Sequence, residues 1–210
     1  MTVLWLIRHA ATDENLRYQM IGVTDVSLGT TGTKQAKALS RRLKSVNFEA
    51  IYTSPLIRAR ETAQLIAAGN EYHPSIQLED SLKELHLGKL EGMSSFEAYE
   101  QFQNLMDTAL DPSTDDFAFP GGELRSHAAQ RLQQALQKLV TRHPSREIGV
   151  ITHGGILGCW LSFLHNVPLG EFRNYQPKHA SITMVHAAFP DPQFKVVARN
   201  DTSHLNLFRT

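Results

Sequence analysis

Cysteine is almost missing from this chain. Cys159 is the only one in 210 residues, so no disulfide can form within it. The thiol sits in the apolar run Ile156 to Leu161, where a buried, structural role is expected. No apolar run approaches the ~20 residues that span a bilayer. Met1 to Ile7 is too short for the core of a signal peptide and has no basic leader, so a cytoplasmic protein without membrane contact is expected. An excess of either charge is missing too: Lys plus Arg and Asp plus Glu both number 21. Nothing in that balance attracts nucleic acid, and an anionic ligand has to be drawn in by local clustering of charge. Repeats, low-complexity tracts and Gly/Ser linkers do not occur. With 41% hydrophobic residues the chain can bury one sizeable core, and a single domain over 1–210 is expected, as a monomer or homodimer.

What the sequence does contain is an alternation of short apolar runs with longer stretches of helical period, the pattern of an α/β fold. Val3 to Ile7 reads as a buried strand. Ala36, Leu39, Leu43 and Val46 form a helical stripe. Glu49 to Thr53 is a second strand, and Ser54-Pro55 is expected to open a helix, with serine as its N-cap and proline in the first turn. Leu124, Ala128, Leu132, Leu136 and Leu139 mark a long helix ending near Pro144. Glu147 to Thr152 is a third strand, followed by an apolar helix through Leu164. Ala180–His186 and Lys195–Arg199 read as a pair of strands about a Pro190-Asp191-Pro192 turn. These elements predict a three-layer α/β/α sandwich with a predominantly parallel sheet. An inserted helical cap is expected over about 93–122.

Three polar runs fall just beyond predicted strands, where the loops of an α/β sheet converge. Arg8-His9 sets a nucleophile beside a phosphate ligand. Arg58 follows Ser54-Pro55 in a first helical turn, and His153-Gly154-Gly155 lets backbone N–H groups approach a ligand closely. Taken singly, each also reads as a strand-end surface pair, a solvated helix face or a structural histidine. Taken together and in this order, Arg8-His9-x-x-Thr12-x-x-Asn15, Ser54-Pro55-Leu56-x-Arg58-Ala59-x-x-Thr62-Ala63 and Thr152-His153-Gly154-Gly155 resemble the histidine phosphatase superfamily, on its phosphoglycerate mutase-like branch. Leu82 to Gly92 resembles that family's acid-bearing loop, and Asn200 to Leu205 an ending found in its phosphatases.

The resemblance implies a phosphomonoester hydrolase working through a phosphohistidine, without metal or cofactor. In it His9 would be the nucleophile, Arg8, Asn15 and Arg58 would bind phosphoryl oxygens, His153 would complete the positive pocket and Glu84 would be the general acid. Thr12, Arg17, Gly22 and Gly154 are further candidates for substrate contact. For Glu84 to donate a proton it should begin protonated, through burial near other anions. The family usually has glycine after the nucleophile, whereas this chain has Ala10 and Ala11; these fit only if φ stays negative there. A metal site built from His9, His86 and His153 lacks the short spacings of zinc motifs. A binding module that had lost catalysis would be expected to lack one of His9, Arg58, Glu84 or His153, and none is missing.

Between Leu90 and Leu124 there is no lysine, arginine or histidine, but eight acidic residues. A cap without cations is poorly suited to clamping a second anionic group, so a small phosphomonoester with a neutral or apolar remainder is expected, as for an α-ribazole or sugar-phosphate phosphatase, rather than the substrate of a mutase. Phe96, Tyr99, Phe102, Met106 and Leu110 fall at helical spacing and read mainly as core. Tyr99, Phe117 or Phe119 could wall the leaving group. Roles for Ser203 and His204 are not readable.

Overall fold

A strand buried on both faces has no use for polar alternation, and Val3 to Ile7 shows none. In the computed structural model, which describes residues 1–188 and 192–208, this run lies in β1 (Thr2–Arg8). Leu4 and Leu6 point into one apolar layer, Trp5 and Ile7 into the other. With β2 (Phe48–Thr53), β3 (Ser75–Leu78), β4 (Glu147–Thr152), β5 (Ile182–Ala187) and β6 (Phe194–Asp201) it builds a six-stranded sheet of order β3-β2-β4-β1-β5-β6. The four strands from β3 to β1 in that order run parallel, and β5 and β6 close one side antiparallel.

The helices are α1 (Asp13–Leu16), α2 (Thr30–Arg42), α3 (Ile57–Ala68), α4 (Ser95–Gln101), α5 (Gln103–Leu110), α6 (Arg125–Arg142), α7 (Gly154–Leu164) and α8 (Phe172–Tyr175). α2 and α3 cover the Trp5 and Ile7 face with Ala36, Leu39, Ala63 and Ile66. α6 and α7 cover the other face with Leu132, Leu136, Leu157 and Trp160. Full burial of each such leucine or isoleucine contributes about 1.5–3 kcal/mol, which makes the two apolar layers the main support for the strand ends. No helix of the described residues is long and apolar enough to cross a membrane.

Several elements differ from expectation. β3 was not foreseen, because Ser-Ile-Gln-Leu has no apolar run and all its side chains are exposed; only backbone pairing with β2 at the sheet edge makes it a strand. The helix after β2 begins at Ile57, not at Ser54-Pro55, with Leu56 in the capping position. Asp25 from a distant loop accepts the Ile57 N–H at 2.6 Å and satisfies that helix start, so the serine is free for another partner. The aromatic stripe beyond Met93 is not one helix. It breaks at Phe102 (φ −137°, ψ 43°) between α4 and α5, and Phe96 is 75% exposed. Residues 93–122 still contribute to a small separate cluster of Leu90, Ala98, Met106, Ala109 and Phe119. Of the expected Pro190-Asp191-Pro192 turn, the first two residues lie outside the described residues.

Candidate active site

Parallel strands end at the same edge of a sheet, and ligands of open α/β folds bind beyond their carboxyl ends. Arg8 is in register with Thr152 across β1 and β4, and the His9 N–H donates to the Thr152 carbonyl at 2.9 Å. The residues that follow these strands are therefore neighbours: the rings of His9 and His153 have centroids 5.0 Å apart.

His9 is 3% exposed. Its Nδ1 lies 2.7 Å from the Ala10 carbonyl, a bond that only a protonated Nδ1 can make, so the lone pair belongs to Nε2. Burial, His153 and Arg58 hold the His9 pKa well below its ordinary value, which keeps the ring neutral. The loop that carries it is held from behind. Neither Ala10 nor Ala11 has positive φ, so alanine costs nothing there. Ala180, itself in the left-handed region at φ 55°, donates its N–H to the carbonyls of Arg8 and His9. His204 Nε2 in turn bonds the Ala180 carbonyl at 2.9 Å, and Ser203 donates its N–H to Asp201. The chain's ending thus braces the nucleophile loop.

Arg8 donates through Nη1 to the Pro177 carbonyl at 2.7 Å and through Nη2 to His179 Nε2 at 2.9 Å. Its Nε is buried without a partner among the described residues. Desolvation lowers its pKa to about 10, which leaves it charged near neutrality. Arg58, 1% exposed, is oriented by the carbonyls of Gly22 and Thr24 at 2.6 and 2.8 Å. His153 is fully buried, with Nε2 2.8 Å from the Ser54 hydroxyl that the helix start released; its Nδ1 has no partner. The glycines after it are needed for space. A Cβ on Gly154 would come within 2.6 Å of Arg8 Cζ, and one on Gly155 within 2.7 Å of Glu84 Oε1.

Glu84 is held against the start of α7. Its carboxylate accepts the N–H groups of Leu85 at 2.9 Å, Gly155 at 2.9 Å and Ile156 at 2.8 Å. Its charge couples to those of Arg8 and Arg58.

Three histidines here are held neutral, His9 and His153 buried and His179 half-buried. His179, whose ring lies 5.3 Å from that of His9, has its pKa pulled down to about 3 by burial and by Arg8, and burial likewise holds His9 and His153 well below their usual value. The unfolded chain takes up protons at these positions below about pH 6.5 while the folded chain does not. Stability they support is complete above that pH and falls as pH drops, by up to about 1.4 kcal/mol per pH unit for each histidine. Thermal unfolding followed from pH 7.5 down to 5 should show a level midpoint above about 6.5 and a steep decline below; a midpoint unchanged at pH 5 contradicts the neutral triplet.

One cavity of about 240 Å³ opens over the site, lined by Arg8, His9, Asn15 and Glu84, with Phe117 and Phe119 opposite. Asn15 Oδ1 accepts the Thr12 N–H, which leaves its amide N–H groups for a ligand. Thr12 is not in the wall; it is buried and caps α1 through its hydroxyl. Gly22 contributes its carbonyl to Arg58 and its N–H to Glu91. Arg17 is exposed and outside the wall. Tyr99 is outside it too, its hydroxyl donating to Asp107. His86 lines the cavity, but among the described residues no group of three or more His, Cys, Asp or Glu side chains is placed to hold a metal ion.

Sequence reading missed His179, Arg125 and Arg173. The latter two line the cavity, so cations reach it from outside the cap. The count between Leu90 and Leu124 was right, but α6 and α8 supply what the cap does not. Arg125 stands one position past the segment surveyed; nothing in local pattern ties Arg173 or His179 to His9.

A neutral imidazole nucleophile among guanidinium groups, at the carboxyl ends of a mostly parallel sheet, is the equipment of a phosphoryl-transfer protein of the histidine type. The model of the histidine phosphatase superfamily (branch 1) matches residues 4–202, and the chain belongs to that superfamily. A metal-independent phosphoserine phosphatase of Arabidopsis thaliana is 32% identical to it, over 98% of this chain and 84% of the relative. A probable phosphoglycerate mutase, GpmB, of Erwinia tasmaniensis is 30% identical over 98% and 95%. The solved Bacillus stearothermophilus YhfR superposes with a TM-score of 0.88 at 30% identity, covering 98% of this chain and 100% of the other.

Proposed function

We propose that the protein is a phosphomonoester hydrolase for small metabolites that works through a phosphohistidine at His9. The observation that carries this reading is the bond from Nδ1 of His9 to the Ala10 carbonyl, which leaves Nε2 as a neutral nucleophile among Arg8, Arg58 and His153. In the first step Nε2 forms a bond to phosphorus while the bond from phosphorus to the leaving oxygen breaks. Arg8, Arg58 and the Asn15 amide hold the phosphoryl oxygens, over which a loose transition state spreads charge. The leaving oxygen needs a proton. Glu84, which lines the same cavity, gives it one from its carboxyl. In the second step Glu84 accepts a proton from water, the water oxygen bonds to phosphorus and the N–P bond breaks, restoring neutral His9.

A cavity of about 240 Å³ lies below the ~300–1,000 Å³ of sites for drug-sized ligands. That favours a compact monoester, such as the phosphoserine in the Arabidopsis relative's name, over a nucleoside-like one. The test is a panel of phosphomonoesters that includes O-phosphoserine, 3-phosphoglycerate, fructose 2,6-bisphosphate and α-ribazole phosphate. Release of inorganic phosphate, with an acid-labile and alkali-stable phosphoenzyme on rapid quenching, is expected. Isomerisation of phosphoglycerate without net phosphate release would instead establish a mutase.

A further inference from the structure

Arg125 is a buried cation that the reaction at His9 does not use. It is 3% exposed, and its guanidinium lies over the rings of Phe117 and Phe172, with Cζ 5.1 and 4.6 Å from their centroids. Nη2 donates to the Ala109 carbonyl at 2.6 Å, while Nη1 is buried with no hydrogen-bond partner among the described residues. Burying a guanidinium away from water is costly unless an anion compensates it, yet no carboxylate of the described residues lies within ion-pair distance of it.

The two acids that could serve are committed elsewhere. Glu123, which shares the cavity wall, is gripped by Arg131 at 2.9 and 2.8 Å. Asp116 accepts from Ser126 and the Phe117 N–H. Arg173, a second cation of the wall, also has no ion-pair partner among the described residues. Two aromatic rings pack against the Arg125 guanidinium, and Arg125 lines the same cavity as His9 and Glu84.

We propose that Arg125, assisted by Arg173, is a specificity subsite for a carboxylate on the substrate's remainder, so that the preferred substrates are compact phosphomonoesters of hydroxy or amino acids. The proposal rests on the phosphomonoesterase reading of the His9 site and replaces the expectation of a neutral or apolar remainder. A planar guanidinium edge matches a planar carboxylate. Phe117 and Phe172 fix that plane in advance, so little rotamer entropy is lost when the anion binds.

The test compares 3-phosphoglycerate with glycerol 3-phosphate, which differ by a carboxylate in place of a hydroxymethyl group. For the unaltered protein, kcat/KM is expected to be roughly tenfold to a hundredfold higher for 3-phosphoglycerate, the range for a charged hydrogen bond. Arg125→Gln should bring that ratio down toward one. Because Arg125 also ties α6 to α5, this variant could fail to fold; Arg173→Gln, at an exposed position, then serves, with an expected drop in the ratio of at least about threefold. A ratio at or below one in the unaltered protein overturns the proposal, as does a high ratio that neither substitution lowers. If neither these compounds nor p-nitrophenyl phosphate is hydrolysed, the phosphomonoesterase reading itself fails. Turnover of all three without preference sinks only the subsite.

Discussion

Replacing His9 by alanine is expected to reduce kcat toward p-nitrophenyl phosphate by a factor on the order of 10⁴ or more, as when a covalent nucleophile is removed elsewhere. The arginines and Asn15 would still bind the phosphoryl group, so residual hydrolysis by water within the clamp is the floor. The substitution should not unfold the protein. His9 is held mainly by its own backbone, through Thr152 and Ala180, and its ring carries a desolvation cost that alanine relieves. Steady-state kinetics, with a quench for phosphoenzyme, decide the matter. Activity within tenfold of the unaltered protein, or a phosphoenzyme label retained in the variant, rules His9 out as nucleophile.

Glu84→Gln is expected to have the second largest effect and an uneven one. Loss of a positioned proton donor costs about 10²–10⁴ in rate when the leaving group is a poor one such as an alkoxide. A nitrophenolate leaves without help, so kcat/KM, which reports the first step, should fall far less for p-nitrophenyl phosphate. Its kcat should fall more than its kcat/KM, because the same residue activates the water that releases phosphate from His9. There is a structural penalty as well. Glutamine has one acceptor oxygen for the three N–H groups of Leu85, Gly155 and Ile156, and its NH2 must face at least one of them, at a cost of about 1–3 kcal/mol. Equal losses of kcat/KM for an alkyl monoester and for p-nitrophenyl phosphate would mean that Glu84 holds the start of α7 and does no proton chemistry.

The grouping of Arg8, His9 and His153 could be read from the chain because they end or directly follow strands. The run to Ile7 reads as a strand because it is short, apolar on both faces and followed at once by polar residues. Arg8 and His9 must then emerge at its end. The same holds for His153 after β4. Arg58 was placed correctly in a first helical turn even though that helix starts at Ile57, because Asp25, and not Ser54, satisfies its N-terminus. β3 was illegible for the opposite reason: its side chains are all exposed, and a strand defined by backbone pairing alone leaves no pattern of polarity. The break at Phe102 was hidden because apolar spacing continues across it, and periodicity records which residues are apolar but not whether the backbone stays helical between them.

Glu84 marks the boundary between the two kinds of knowledge. Its candidacy followed from sequence, yet the partners of its carboxyl did not, because the N–H groups at 155 and 156 fold against it from some seventy positions away. The sequence by itself determined which side chains gather at the strand ends, since Arg8, His9 and His153 are written next to the strands that present them. The tertiary structure alone decided what else the cavity can recognise. Arg125 and Arg173 come from helices distant in sequence, and a charge acts on a ligand through distance in space, which no local spacing encodes.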